Sequence, residues 1–170
     1  MTLKTRYGSA VVTTPSDLEI KIRREFAAPA DLVFKAWTTP EYVQRWWSGE
    51  DAPVVLCEID LRVGGTWRYV TRMADGVELG WHGTYRQIEA PHRLVSTEVF
   101  EGFPDGEALN TLTLEEGDGV TVLTALVLHA SIENRDGHLN SGMEGSMQLA
   151  LNRFDDLLEA MQGTDREAGR

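Results

Sequence analysis

Between Val54 and Ala130 the chain is a succession of segments in which apolar and polar residues alternate, separated by turn signals such as Ala74-Asp75-Gly76. Strict alternation is typical of strands that are buried on one face. After Ser141 the hydrophobic period becomes helical and remains so to about Met161. Consecutive antiparallel strands twist into a curved sheet, and one long amphipathic helix can cover the concave face of such a sheet. The sequence therefore predicts a two-layer α+β domain.

The first part of the chain adds one strand and two short helices. Leu18–Phe26 alternates as a half-buried strand does. Ala28-Pro29-Ala30-Asp31 predicts a helix start with proline near the first turn, and Thr39-Pro40-Glu41 predicts a second one. A short strand at Ala10–Val12 is also expected.

Length and composition fit one domain. A chain of 170 residues can bury one proper core and is too short for two. We divide it into an N-terminal arm (residues 1–17), a domain (18–162) and a polar tail (163–170). The single cysteine, Cys57, excludes an internal disulfide, and the sequence shows neither an apolar signal segment nor an apolar run long enough to span a bilayer. We therefore expect a cytoplasmic protein.

The charge of the chain restricts its partners. Lysine and arginine number 16 against 27 acidic residues, which gives a formal net charge of -11. A negative surface repels polyanions, so neither nucleic acid nor an anionic membrane is expected as a partner. No histidine or cysteine spacing indicates a metal site, and no glycine pattern indicates a nucleotide site, so no cofactor is expected.

A pair of glycines, Gly64-Gly65, separates two alternating segments, as expected for a tight bend or bulge. On the strand that follows, Trp67, Tyr69 and Thr71 share one face. That face is too bulky and apolar to be left to water. It therefore lines either a core or a pocket.

Five motifs of the chain occur in a characteristic order and spacing. They are Phe26-Ala27-Ala28-Pro29-Ala30-Asp31-Leu32-Val33-Phe34-Lys35-Ala36-Trp37-Thr38-Thr39-Pro40-Glu41, Arg45-Trp46-Trp47, Asp60-Leu61-Arg62-Val63-Gly64-Gly65, Gly83-Thr84-Tyr85-Arg86-Gln87-Ile88 and Ser141-Gly142-Met143-Glu144. In these motifs the chain resembles the SRPBCC superfamily, which includes the StAR-related lipid-transfer domains and the birch-pollen allergen. More narrowly, it looks like bacterial homologues of the activator of the heat-shock chaperone ATPase. The resemblance covers about Leu18 to Met161.

The resemblance implies a helix-grip fold: a curved antiparallel sheet of about six to seven strands around a long C-terminal helix, with two short helices after the first strand. The superfamily contains ligand carriers and cyclases, so fold alone does not give activity. Eukaryotic chaperone activators also use a separate N-terminal domain, for which residues 1–17 are too short. A chaperone partner is therefore disfavoured.

Aromatic and methionine residues in the sheet and the last helix are the candidates for a ligand-binding wall, because they offer large apolar surfaces and, in part, polar handles. Ordinary core packing is the alternative for each of them. The candidate wall consists of Trp46, Trp67, Tyr69, Trp81, Tyr85, Phe100, Met143 and Met147.

Two titratable residues are weak catalytic candidates. Glu98 shares a strand face with Ser96 and Phe100, and it could transfer protons if that face looks inward. If the face looks outward, Glu98 is a solvated charge. His129 is either a pocket residue or a satisfied strand histidine, whereas His138 is expected in a solvated polar loop.

The favoured function is therefore the binding of a hydrophobic or aromatic small molecule between sheet and helix. One alternative is a polyketide cyclase or aromatase-like enzyme that uses the same cavity. A second is an interaction protein similar to the chaperone activators. A homodimer through an exposed edge strand is also possible in sheet proteins of this kind.

Overall fold

The alternating segments form an eight-stranded sheet, and four helices accompany it. The computed structural model describes residues 9–169, without the side chains of residues 165–168. The first eight residues of the predicted arm lie outside this range. In chain order the elements are β1 (Val11–Thr13), β2 (Glu19–Phe26), α1 (Ala30–Thr38), α2 (Pro40–Trp46), β3 (Val54–Ile59), β4 (Thr66–Arg72), β5 (Glu78–Glu89), β6 (Arg93–Phe100), β7 (Ala108–Gly117), β8 (Val120–His129), α3 (Ile132–Leu139) and α4 (Met143–Ala168).

The sheet is open and antiparallel, with the strand order β1-β2-β8-β7-β6-β5-β4-β3. β1 and β3 are its edges. The sheet has one strand more than the predicted six to seven, because the short β1 pairs with β2, with Val12 opposite Ile22. Element order and the long C-terminal helix agree with the predicted helix-grip architecture.

Strand pairing shows which residues share the inner face, the one that looks towards α4. Trp67 lies opposite Gly83, and Tyr85 lies opposite Ser96. Ser96 in turn lies opposite Asn110 on β7. Because alternate residues share a face, Glu98 also points inward.

α4 is fixed along the β1–β2 side of the sheet by polar contacts to the backbone and to side chains. Gln148 Nε2 donates to the Ala10 carbonyl over 2.7 Å, and Gln162 Nε2 donates to the Ala27 carbonyl over 2.9 Å. Between them, Arg24 Nη1 donates to Asn152 Oδ1 over 3.0 Å. The helix extends to Ala168, past the expected end near Met161, so the predicted polar tail begins inside it.

One end of the layer between sheet and helix is tightly filled. Phe154 of α4 has no exposed surface, and its ring contacts Phe26, Trp37 and Trp46 at centroid distances of 5.0–5.6 Å. Trp46 Nε1 donates to the Ala36 carbonyl over 3.0 Å, so its polar atom is satisfied. α1 and α2 thus close this end of the domain.

The helix α3 is absent from the sequence prediction. Ser131 is its N-cap, and the Ser131 hydroxyl accepts a hydrogen bond from the Asn134 amide over 3.1 Å. The segment carries no apolar period because none of its residues is buried. None of the helices within residues 9–169 is both long and apolar enough to cross a membrane.

Candidate functional site

The middle of the inner face is less completely covered than its surroundings. Ala125 on β8 lies between Ile22 and Leu112 on the neighbouring strands, and those two side chains are only 8% and 5% exposed. Ala125 itself is half-buried, as are Glu98 and Asn110 on the next strands. From this contrast we infer that the inner face retains accessible surface between the sheet and α4. We call this region the hollow.

Three residues of α4 that face the core are also only half-buried. Met143, Met147 and Ala150 pack against the core and retain accessible surface. Methionine thioethers adapt their shape to what they contact, so these two side chains can follow the shape of a neighbour.

A row of aromatic rings leads from the filled end to the protein surface. Trp46 contacts Trp47 at 5.9 Å between ring centroids, Trp47 contacts Trp81 at 6.0 Å, and Trp81 contacts Phe100 at 5.4 Å. Phe100 is 37% exposed. Trp46 thus supports the row from the core, whereas Trp81 and Phe100 form its outer end.

Trp67, Tyr69 and Tyr85 are the buried aromatic residues of the inner face on β4 and β5. The rings of Trp67 and Tyr69 are 4.7 Å apart, and all three side chains are buried. Burial is the main cause of the raised pKa values of both tyrosines, so their phenols are neutral at pH 7. Any β-carbon on Gly83 would lie 2.5 Å from Trp67 Nε1, so the indole needs glycine there.

Glu98 and Asn110 are the central polar residues of the inner face. Asn110 Nδ2 donates to Glu98 Oε2, while the buried Asn110 Oδ1 has no hydrogen-bond partner among the described residues. Burial raises the pKa of Glu98, and the hydrogen bond from Asn110 partly opposes that shift. A carboxyl group in this position can hold a proton and donate it.

His129 ends β8 and is hydrogen-bonded to α3. Its Nε2 lies 3.0 Å from Nδ1 of His138, whereas its buried Nδ1 has no partner among the described residues. Burial first, then the nearby charges of His138 and Arg135, lower the pKa of His129 to about 4. Burial also lowers the pKa of His138. His138 is half-buried and lies on α3, so the prediction that it lies in a solvated loop is wrong.

The two predicted titratable residues lie on the same face without touching each other. Ala108 on β7 is opposite Glu98 on one side and opposite His129 on the other. One full strand therefore separates the carboxyl from the imidazole. No hydrogen bond joins them in the part of the chain that the structure describes.

Cys57 lies in an environment that keeps its thiol protonated. Burial, together with the nearby Glu41 and Glu58, raises the pKa of Cys57 to about 12, so its thiol is unreactive near neutral pH. Within residues 9–169, no group of three or more His, Cys, Asp or Glu side chains is arranged to hold a metal ion.

A separate cleft of about 210 Å³ lies between α2 and α4, lined by Arg45, Arg153, Asp156 and Leu157. Arg153 Nε donates to the Trp46 carbonyl over 3.1 Å, which ties this side chain to the end of α2. The cleft is distinct from the hollow.

Sequence reasoning did not identify Asn110 and Ala125. Both occupy inward positions of their strands, where the alternation leads one to expect a larger apolar side chain than an amide or a single methyl group. A small or polar residue at such a position is the sequence signal that could have identified them.

Comparisons with known proteins agree with this fold. A family model described as activator of Hsp90 ATPase homolog 1-like protein matches residues 27–159. A crystal structure from Rhodobacter sphaeroides is 30% identical and has a TM-score of 0.85, covering 89% of this chain and 99% of the other.

Two further solved structures share 27% identity with the chain. Protein Ms6760 from Mycobacterium smegmatis has a TM-score of 0.76, covering 87% of this chain and 97% of its own. A solution structure from Arthrobacter aurescens has a TM-score of 0.79, covering 88% of this chain and 91% of its own. No curated protein matches the chain significantly.

Proposed function

The chain belongs to the activator of Hsp90 ATPase homolog 1-like family, and from that premise we propose that it binds a hydrophobic or aromatic small molecule in the hollow. The observation that carries the proposal is the half-buried Ala125 between its buried neighbours Ile22 and Leu112. A well-packed core leaves few voids, so surface that stays accessible beneath a covering helix favours an occupant.

The composition of the wall supports an aromatic or otherwise apolar ligand. Trp67, Tyr69 and Tyr85 offer buried ring surface, and their phenol and indole groups are uncharged. Aromatic rings gain about 0.5–1.5 kcal/mol from edge or offset contacts with other rings beyond area burial. The adaptable side chains Met143 and Met147 complete the wall from α4.

The test is a thermal-shift screen of the purified protein against apolar and aromatic compounds. A compound that binds only the folded state stabilises it by about 2.7 kcal/mol at a hundredfold excess over its Kd. We expect a set of chemically related compounds to raise the melting temperature. No stabilisation by any compound would contradict the proposal and favour a protein partner.

The variant Trp67→Ala tests whether the hits occupy the hollow. We expect the affinity for a hit to fall by at least ~1 kcal/mol, because the indole surface is lost. Val63→Ala is the control, since Val63 is 66% exposed in the turn before β4. Unchanged affinity in a folded Trp67→Ala variant would show that the wall lies elsewhere.

A second candidate function is a polyketide cyclase or aromatase-like enzyme. Its specific support is the inward position of Glu98, whose carboxyl can donate or accept a proton next to a bound molecule. His129 has a free Nδ1 and is the other candidate. A pH-dependent rate that is lost in Glu98→Gln or His129→Ala would identify an enzyme, and turnover unaffected by both variants would exclude these roles.

A further inference from the structure

Several buried polar atoms of the inner face lack hydrogen-bond partners among the described residues, and two of them belong to Trp67 on β4 and Asn110 on β7. Trp67 is only 6% exposed, and its Nε1 donates to nothing among the described residues. Asn110 Oδ1 is likewise buried without a donor. Buried polar groups normally have hydrogen-bond partners, so two groups that lack them at the hollow favour a ligand with a polar group.

Both atoms lie close to β6, the strand that carries Glu98. Trp67 lies opposite Gly83 of β5, and β5 pairs with β6 on either side of that glycine, with His82 opposite Val99 and Tyr85 opposite Ser96. Because Gly83 has no side chain, the indole nitrogen lies above β5 and towards β6. Asn110 reaches Glu98 from β7 through its hydrogen bond.

A hydroxyl group matches this set best. It can accept from Trp67 Nε1 and donate its single proton to Asn110 Oδ1, and its second lone pair can accept from Glu98 when that carboxyl holds a proton. A carboxylate matches it poorly, because it can only accept and would bring a second negative charge to Glu98. A purely apolar ligand would leave Trp67 Nε1 and Asn110 Oδ1 unsatisfied.

We propose that Glu98, Asn110 and Trp67 form the polar end of the binding site and select aromatic ligands that carry an uncharged hydroxyl group. This inference rests on the proposed function, because it concerns the same hollow. It adds the chemical class of the ligand and assigns Asn110 as a residue that determines specificity.

Three probes share one ring system: naphthalene, 2-naphthol and 2-naphthoate. Together they distinguish binding of an aromatic ring in the hollow from selection of a hydroxyl group. Their dissociation constants are measured by titration calorimetry at pH 7. We expect 2-naphthol to bind about tenfold more tightly than naphthalene, because its hydroxyl group forms hydrogen bonds with buried groups that naphthalene leaves without partners. A tenfold ratio of dissociation constants corresponds to about 1.4 kcal/mol. We expect 2-naphthoate to bind no more tightly than naphthalene.

Substitutions then assign the preference to residues. In Asn110→Ala we expect the tenfold preference for 2-naphthol to fall to about twofold, while the affinity for naphthalene stays within about twofold. Trp67→Phe, which keeps an aromatic ring and removes Nε1, should reduce the preference in the same direction. Glu58→Gln is the control on the exposed side of β3 and should change neither value.

The outcomes distinguish the inference from the function on which it rests. Equal affinities for naphthalene and 2-naphthol in the wild-type protein would overturn the polar end and leave the hollow as a binding site. A preference that survives Asn110→Ala and Trp67→Phe would overturn the assigned residues. No binding of any probe would contradict the proposed function, and the polar end with it.

Discussion

The layer between sheet and helix is filled differently at its α1–α2 end and in the rest of the inner face, which we call the open end. At the α1–α2 end, Phe154, Phe26 and Trp46 are 0–3% exposed, and the Phe154 ring contacts the other two edge to face. At the open end, which begins in the middle of the inner face, Ala125 and Asn110 remain half-buried. The difference arises because two short helices close the first end, whereas small or polar side chains leave room at the second.

This contrast separates stability from recognition within one fold. Close packing of large apolar groups, as around Phe154, is where substitutions are most destabilising. A region with unfilled space and unpaired polar atoms contributes less to stability and is free to bind. We therefore expect substitutions at the two ends to act on different measurements.

The largest effect is expected at the filled end. Phe154→Ala should reduce the free energy of unfolding by about 3–5 kcal/mol, because it removes a fully buried ring and leaves a cavity among three aromatic partners. Urea unfolding followed by circular dichroism measures this loss. A loss below about 1 kcal/mol would mean that this end is not the packed core.

The most direct comparison of the two ends replaces one alanine in each by leucine. Ala36→Leu should destabilise the protein by about 1–3 kcal/mol, because Ala36 has no exposed surface and its site has no room. Ala125→Leu should change stability by less than about 1 kcal/mol, because the added atoms enter the hollow. It should also weaken 2-naphthol binding at least about tenfold.

Equal destabilisation by Ala36→Leu and Ala125→Leu, with 2-naphthol affinity unchanged, would remove the contrast between the ends. Urea unfolding and calorimetry on the same two preparations provide both readings.

The His129–His138 pair makes a pH-dependent contribution at the open end. The folded protein holds both imidazoles neutral, with the pKa of His129 lowered from 6.5 to about 4. The unfolded chain binds protons first as pH falls, so this contribution to stability is complete above pH 6.5 and is lost towards pH 4.

We expect His129→Asn to flatten the fall of the melting temperature between pH 6.5 and pH 4. His92→Asn, which changes an exposed histidine, is the control and should leave the slope as in the wild type. An identical slope in His129→Asn would show that the buried pair does not carry the dependence.

The smallest effect concerns Glu98. Burial raises its pKa above the ordinary 4.5, so the stability of the folded state falls as pH rises from about 4.5 to the raised value. Glu98→Gln should therefore raise the melting temperature at pH 7 by a few degrees, with no gain at pH 4. The exposed Glu58→Gln serves as control. A lower melting temperature in Glu98→Gln at pH 7 would contradict the buried position of the carboxyl.

The architecture could be predicted from the sequence because two hydrophobic periods are clear: the alternation of the strands and the helical period of the last segment. Alternation in β4 placed Trp67 and Tyr69 on one face, and the structure buries both. The direction of Glu98 could not be predicted, because it depends on pairing between strands and on a register shift between Tyr85 and Gln87. α3 was missed because its residues show no apolar period.

The site depended on contacts that no local pattern encodes. The hydrogen bond between Glu98 and Asn110 joins different strands, and the one between His129 and His138 joins a strand to a helix. Likewise, an alanine in an apolar strand is expected to be buried. That Ala125 is only half-buried becomes visible when it is compared with Ile22 and Leu112, its neighbours across the sheet.

The most direct test of the central claim is methyl NMR of protein labelled at alanine and methionine during a titration with 2-naphthol. The account predicts that the methyl signals of Ala125, Met143 and Met147 shift in proportion to occupancy, while those of Ala36 and Ala28 at the filled end do not move. Unchanged signals from Ala125 and both methionines, whether or not others shift, would contradict a binding site between the sheet and α4.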